Sequence, residues 1–189
     1  MIKIGIIVGS TRPGRNGEAV ARWVLDLAQK RPDRAEAEFE LVDIQHFKLP
    51  LLDEPMPPSR GQYTQPHTKA WSARIDALDA FVFVTPEYNH GPSGALKNAI
   101  DFLYLEWNNK AAGFVGYGGA GGNRAVEQLR LVMGELQIAD VRAQVSLSLY
   151  TDFESFRVFK PAAAHEATAN HMFDQVIAWG TALKPLRKR

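Results

Sequence analysis

The stretch "GIIVGSTRPGRNGEAVARWV", Gly5 to Val24, changes period in mid-course. Its first four residues continue the apolar run from Ile2, which ends at Val8 and reads as a buried strand. The last eight place Val20, Trp23 and Val24 on one face of a helix, a face that Leu27 extends. Between them lie glycine, serine, threonine and arginine. A strand that hands over to a helix through such a loop points backbone N–H groups at an anion. Ser10 and Thr11 add hydroxyls, and Arg12 or Arg15 adds charge-assisted hydrogen bonds.

Working outward, strand and helix patterns alternate. The helix runs over Gly17–Lys30 and Pro32 stops it. "EFELVD" (Glu38–Asp43) alternates like a strand. A proline-dense segment follows, and then a helix over His67–Asp79 with Trp71, Ile75 and Leu78 inward. "AFVFVT" (Ala80–Thr85) is the strand of a sheet covered on both faces. Ser93 is the expected N-cap of a helix over Pro92–Trp107. A strand over Ala111–Gly118, a helix over Asn123–Gln137, a strand over Val141–Tyr150 and a helix over Ala164–Leu183 complete the chain. The alternation predicts an α/β fold in one domain spanning residues 1–189. It is a doubly wound, five-stranded parallel sheet of order 2-1-3-4-5, with helices on both faces and the ligand at the carboxyl ends of strands 1 and 3.

The bulk composition is that of an ordinary globular protein. Over 189 residues, 46% are apolar and 23% charged, and the formal net charge of +1 argues against a nucleic-acid footprint. There is no cysteine, which removes disulfides, thiolate metal sites and cysteine nucleophiles together. The N-terminus lacks the pattern of a signal peptide, no apolar run reaches membrane-spanning length, and a cytoplasmic location is expected.

Three loops carry chemistry. Gly9 and Gly14 fit G-x-x-x-x-G, but Arg15 and Asn16 stand where a nucleotide-hydrolysing loop needs lysine and a hydroxyl, so anion capture remains without hydrolysis. Gly116, Gly118 and Gly121 fit G-x-G-x-x-G, but on the fourth strand. Asp140 precedes the strand that it would have to follow, so the loop is read as bringing backbone N–H groups close to a flat ligand. In "TPEYNHGPSG", Tyr88 and Asn89 offer an aromatic wall with amide donors and acceptors. Phosphate chemistry at strand 1 beside planar-ring chemistry at strands 3 and 4 describes an aromatic mononucleotide, and flavin mononucleotide (FMN) fits best. Elsewhere, "HEATANH" does not match a zinc motif and no G-x-S-x-G elbow is present. Asp53 and Glu54 read as solvated carboxylates. Trp23, Trp71 and Trp179 read as core.

With "GSTRPGRNGEAVARWV", "LPLLDEPMPP", "TPEYNHGPSGALKNAIDFL" and "YGGAGGNRAVEQLR" in order along nearly the whole chain, the sequence resembles the NADPH-dependent FMN reductase family of flavodoxin-like quinone, azo and metal-ion reductases. The resemblance implies a flavodoxin-like fold, with FMN as cofactor and NADPH or NADH as donor. Ser10, Arg12, Arg15, Asn16 and Gly17 would surround the FMN phosphate. Pro86, Glu87, Tyr88 and Asn89 would border the isoalloxazine, mostly through backbone, and Gly118 and Gly119 would lie near its pyrimidine edge. Arg15 stands where many relatives carry serine, and would meet either the FMN phosphate or the phosphates of the incoming nicotinamide nucleotide. Hydride would pass to flavin N5 and on to a small-molecule quinone, flavin, azo or metal-ion acceptor by ping-pong kinetics, with no catalytic acid or base side chain and no metal. The family's habit implies a homodimer or homotetramer with flavin at the seam, and the aromatic "DFLYLEWNN", Trp107 above all, is the expected contact. The rival readings are a one-electron carrier, a flavin-binding redox sensor without significant turnover, and a flavin-free fold relative. The near-neutral charge and arginine-bearing loop argue against the carrier.

Overall fold

A computed structural model describes residues 1–32 and 36–187. Five strands, β1 (Ile2–Val8), β2 (Ala37–Asp43), β3 (Ala80–Pro86), β4 (Lys110–Gly118) and β5 (Ile138–Ser148), form one sheet of order β2-β1-β3-β4-β5. Every pairing in it is parallel, as the alternating pattern predicts. The helices are α1 (Gly17–Gln29), α2 (Pro66–Asp76), α3 (Gly94–Asp101), α4 (Asn123–Glu135) and α5 (Ala164–Leu183). A two-stranded antiparallel ladder, β6 (Phe153–Glu154) with β7 (Val158–Phe159), rises from the connection between β5 and α5. Among the described residues no helix is long and apolar enough to cross a membrane.

The period-2 alternation of the strands sorts two cores. Ile4, Ile6, Val82, Val84 and Val115 pack with Val20 and Val24 of α1 and Phe173 and Val176 of α5. Ile7, Phe81, Phe83 and Phe114 face α2, α3 and α4. The second core is aromatic: Trp107 lies 4.9 Å from Phe81 and 6.2 Å from Trp71 between ring centroids. Both indoles satisfy their N–H, Trp71 donating to the Ala99 carbonyl at 2.7 Å and Trp107 to the Ile100 carbonyl at 3.1 Å. Each would otherwise be a buried orphan donor.

This packing corrects four expectations. α3 ends at Asp101 instead of Trp107, because Phe102, Leu103 and Trp107 turn inward and are buried. Of the aromatic residues assigned to a subunit seam, Phe102 and Trp107 are therefore spent in the core, fully enclosed, while Tyr104 is half-buried. Trp179 is 46% exposed, since the buried stripe of α5 runs through Met172, Phe173, Val176, Ile177 and Gly180 and leaves residue 179 outside it. β5 also starts earlier than Val141. Ala112 to Phe114 spans two steps where the paired Asp140 to Gln144 spans four, and Arg130 stitches the surplus by donating to the Val141 carbonyl (2.9 Å) and to Gln144 (2.9 Å).

The proline-dense segment is not loose. It holds short 3-10 turns at Ile44–Phe47 and Pro58–Arg60, and Asn98 of α3 clips it by donating to the Pro50 carbonyl (2.7 Å) and accepting from the Leu52 N–H (3.0 Å). Glu54 is no free carboxylate. Burial opposes its charge, but the N–H groups of Thr64 and Gln65, 2.8 and 2.9 Å away, help to hold its pKa down at about 2. Asp53 faces His67 at 2.9 Å.

Lys110 opens β4 with its side chain sealed in, donating to the Ile75 and Asp76 carbonyls at 2.7 and 3.2 Å. These carbonyls end α2, so the cation sits at the negative pole of the helix. Burial still lowers its pKa to about 8. Between that pH and about 10 the unfolded chain, whose lysines titrate near 10.4, holds the extra proton, so stability rises with pH in this window. Chemical denaturation across it is expected to show that rise in the wild type and a flatter profile in Lys110→Met.

Candidate functional site

The loops after β1, β3 and β4 meet because these strands are neighbours and run the same way. The first loop begins with Gly9, whose N–H donates to the Val84 carbonyl at 2.9 Å. A Cβ on Gly9 would lie 2.6 Å from that oxygen, so only glycine fits there. The Gly9 carbonyl in turn accepts from Ser93 Oγ, while Ser93 accepts from the Leu96 N–H at 3.1 Å and caps α3 as expected. One hydroxyl thus ties the loop to the helix of the next crossover.

Arg15 and Arg12 have different fates. The Arg15 guanidinium turns back onto the Ser10 carbonyl and grips both oxygens of Asp43 at the end of β2, with Nη1–Oδ1 at 2.9 Å. Both side chains are largely buried, at 9% and 13% exposure, and Asp43 also accepts from the Gln45 N–H at 3.0 Å. Arg15 is therefore a brace of the loop, answered by a carboxylate before any ligand arrives. Arg12 is exposed and, among the described residues, forms no ion pair. Ser10 is buried beneath it. At the start of α1, Asn16 makes no capping bond; its amide donates to the Phe156 carbonyl at 2.8 Å. The first N–H groups of α1 have no partner within the helix, as at any helix start, and face the loop uncapped.

The second loop turns tightly. Tyr88 and Gly91 exchange N–H···O bonds of 2.9 and 3.0 Å, and Asn89 and His90 between them have φ of 50° and 68°. Positive φ at both central residues is the signature of a type I′ turn. It lifts Tyr88, Asn89 and His90 into solvent at the sheet edge. Pro86 stays buried as the last residue of β3.

Glu87 faces inward. Its side chain is 4% exposed and accepts from Arg124 Nε at 2.6 Å and from the Arg124 N–H at 3.0 Å. Burial opposes the charge, but Arg124 and the first N–H groups of α4 outweigh it and keep the pKa below the usual carboxylate range. Glu87 thereby caps α4, whose N-cap Gly122 has no side chain to do so. Arg124 extends on to His90 Nε2, 2.7 Å away.

The third loop answers why glycines crowd there. A Cβ on Gly122 would sit 2.4 Å from the Tyr117 nitrogen, and one on Gly116 would sit 2.9 Å from the Gly121 and Gly122 carbonyls. The loop folds down on its own strand, and that closure demands the glycines. A Cβ on Gly118 would press on Glu87 Cβ at 3.2 Å. Gly119 alone of these looks outward, with only the Tyr150 ring at 3.6 Å.

All eleven expected residues thus lie on or directly beside the loops of one sheet edge, but the side chains of Arg15, Asn16 and Glu87 are already engaged within the protein. Sequence reasoning missed four supports: Asp43, Ser93 as a link to the first loop, Arg124, and Tyr117. Tyr117 pairs with Pro86 across β3 and β4, and its hydroxyl lies where a Gly17 Cβ would be 2.6 Å away. Burial pushes its pKa up. Its place as the last aromatic residue of a strand was the available signal.

A cavity of about 550 Å³ opens at the opposite end of the sheet around Asp79, Lys110, Lys184 and Arg187. Asp79 accepts there from the Lys3 N–H (2.8 Å), Lys184 (2.9 Å) and Arg187 (2.5 Å). Its charges are answered internally, so size does not mark the site. A smaller cleft of about 300 Å³ lies beside Thr11, bordered by Lys48 and Asn98.

Glu87→Ala removes the acceptor from α4's first N–H groups and from Arg124, and equilibrium urea unfolding is expected to show a loss of about 2 kcal/mol. Ser93→Ala, which removes a cap and the Gly9 link, is expected to cost about 1 kcal/mol in the same assay.

Comparison with known proteins agrees with this architecture. Residues 2–152 match the family described as NADPH-dependent FMN reductase. The NAD(P)H-dependent FMN reductase ntnL of Nectria sp. is 41% identical over 160 residues, covering 80% of this chain and 79% of the relative. The NAD(P)H:quinone oxidoreductase of Solanum tuberosum is 33% identical over 136 residues, covering 70% and 67%. The solved structure of FerB, a flavoenzyme NAD(P)H:(acceptor) oxidoreductase from Paracoccus denitrificans, shares the fold with a TM-score of 0.72 at 19% identity, over 96% of this chain and 98% of that one. The flavodoxin-like sheet, the loops along its carboxyl edge and the matched sequence have one common reading: the chain belongs to the NADPH-dependent FMN reductase family.

Proposed function

We propose that the protein is an NAD(P)H-dependent oxidoreductase that holds FMN along the carboxyl edge of β1, β3 and β4 and reduces small quinone-type acceptors. The observation that carries this reading is the alignment of three ligand-ready features on adjacent strands: the uncapped start of α1 beside the exposed Arg12, the outward Tyr88–Asn89 turn, and Gly119. An anionic group and a flat ring at opposite ends of one ligand match that order. The names of the related proteins support the same cofactor and donor.

FMN, when bound, supplies a ring that takes hydride from a reduced nicotinamide and releases electrons to an acceptor. The protein's part is to bind and orient. The α1 N-terminus and Arg12 hold the phosphate, with Ser10 and Gly17 shaping the loop floor. Arg15 acts through Asp43, keeping the loop in its anion-binding form. On this reading Arg15 meets neither the FMN phosphate nor those of the nicotinamide nucleotide. Pro86, Glu87, Tyr88 and Asn89 form the ring border, with Tyr88 and Asn89 facing the ligand and Glu87 setting the position of the third loop from behind. N–H groups of Gly118 and Gly119 would face the pyrimidine edge of the bound ring and stabilise negative charge there. No side chain is assigned as proton donor or acceptor, and no metal is required.

The deciding experiment is an absorbance spectrum of the FMN-loaded protein before and after anaerobic NADPH. Bleaching of the flavin band near ~450 nm, with steady turnover once a quinone is added, is the expected result. Negligible turnover with quinone, flavin and azo acceptors would favour a sensor or carrier instead. In fluorescence titrations with FMN, Arg12→Ala is expected to weaken binding about tenfold while the unfolding midpoint stays put. Asp43→Asn is expected to lower both affinity and stability, because it frees Arg15 from its brace.

A further inference from the structure

The connection between β5 and α5 carries two large aromatic side chains into solvent, Tyr150 at 72% and Phe156 at 55% exposure. They are not independent. Their rings meet edge to face with centroids 5.5 Å apart at 85°. Each is also fixed to one end of the candidate site. The Leu149 N–H donates to the Gly118 carbonyl at 3.0 Å, and the Tyr150 ring lies 3.6 Å from where a Gly119 Cβ would be. At the other end, the Phe156 carbonyl accepts from the Asn16 amide at 2.8 Å. The pair therefore spans from the glycine loop to the start of α1, along the flank of the proposed FMN trough.

The segment that presents them is built at a cost. Ser155 and Phe156 have φ of 50° and 60°, a backbone region unfavourable for residues with a Cβ. They form the turn of the β6–β7 hairpin, closed by the Arg157 N–H on the Glu154 carbonyl at 3.1 Å. Asp152, 2% exposed, anchors the base of the hairpin: it accepts from the N–H groups of Ser148 (2.9 Å) and Ala162 (3.2 Å) and faces His165 Nε2 at 2.9 Å. Phe153 and Phe159 close the base beneath, 5.0 Å apart. A folded, anchored hairpin thus spends backbone strain to hold a ring outward where burial would have been the ordinary outcome for phenylalanine. Phe156 also lies beyond residue 152, where the match to the family ends.

We infer that Tyr150 and Phe156 form the docking surface for the planar aromatic ring of the electron acceptor, and so determine the preference for quinonoid acceptors over non-planar ones. The inference rests on the FMN reading above. Aromatic rings associate through offset or edge-to-face contact, and a preformed pair offers both faces and edges without ordering cost at binding. A hydrated inorganic anion gains nothing from such a surface.

The test compares FMN-loaded wild type with Tyr150→Ala/Phe156→Ala, using NADPH as donor and either 1,4-naphthoquinone or ferricyanide as acceptor. The KM for naphthoquinone is expected to rise about tenfold, with the KM for ferricyanide, the bound flavin and the gel-filtration volume unchanged. The ring-preserving variant Tyr150→Phe/Phe156→Tyr is expected to keep the wild-type KM. An unchanged naphthoquinone KM, or an equal rise for both acceptors, overturns the inference. A shifted elution volume also overturns it, by assigning the rings to contact between copies of the chain. A wild type that takes up no FMN brings down the parent reading and this one with it. The colour of the loaded wild type separates that failure from the others.

Discussion

The hydrogen bond from the Gly9 N–H to the Val84 carbonyl extends the pairing of β1 and β3 one step past the last strand residue. Much of the site follows from that step. It needs a residue without a side chain, because any Cβ there would strike the very oxygen that accepts the bond. It also leaves the Gly9 carbonyl pointing at Ser93, which fastens α3 to the same place. On the other side of β3 the Glu87 N–H repeats the arrangement with the Tyr117 carbonyl at 3.0 Å. The loops inherit the register of the sheet, so their relative positions are as rigid as the strands.

That rigidity reorganises what the charged residues can do. A buried carboxylate without partners would cost several kcal/mol, so Asp43 and Glu87 must be matched by cations or N–H donors. Arg15 and Arg124 are those cations, each drawn from the loop or helix next to the carboxylate it answers. Both pairs join elements far apart in sequence: β2 with the loop before α1, and the end of β3 with the start of α4. Such pairs hold loop positions more effectively than they recognise ligands, since their hydrogen-bonding capacity is already used. The recognition role passes to groups left exposed, namely Arg12, the helix N–H groups, Tyr88 and Asn89.

The fold was legible because its evidence is periodic. Val82 and Val84 against Phe81 and Phe83, or Val20 and Val24 on one helical face, announce which side of an element is covered without reference to anything distant. The candidate site was legible as a set of loops, because glycine, proline and Ser93 mark chain reversals locally. What could not be read was the direction taken by long side chains. Arg15 and Glu87 look identical in sequence whether they meet a ligand or a residue 28 or 37 positions away. Trp107 failed for the same reason. An aromatic residue after a helix can serve a seam or a core, and the cavity among Trp71, Phe81 and Phe83 that it fills exists only in three dimensions. The glycines of the third loop were located correctly, but their requirement is set by backbone contacts at Tyr117 and Gly116 that no local pattern reveals.

The two ends of the sheet are built on opposite terms. At the amino end, Lys110 and Asp79 spend their charge on carbonyls, N–H groups and each other's neighbours, and the chain there closes on itself through Lys184 and Arg187. Left-handed backbone occurs at both ends, at Asn109 and Gln137 just before β4 and β5 and at Asn89, His90, Ser155 and Phe156 on the carboxyl side, but at the carboxyl end Tyr88, Tyr150 and Phe156 also stand in water. Left-handed backbone at residues with a Cβ and rings in water are unfavourable by themselves, and hydrogen bonds between elements hold them: Arg124 on Glu87, the Ala162 N–H on Asp152, and the Asn16 amide on the Phe156 carbonyl. A fold stabilised mainly by its two cores can sustain such strain in the loops that leave it. Relaxing it would require breaking those bonds first, which is why the exposed rings and the I′ turn are held in place before any ligand binds.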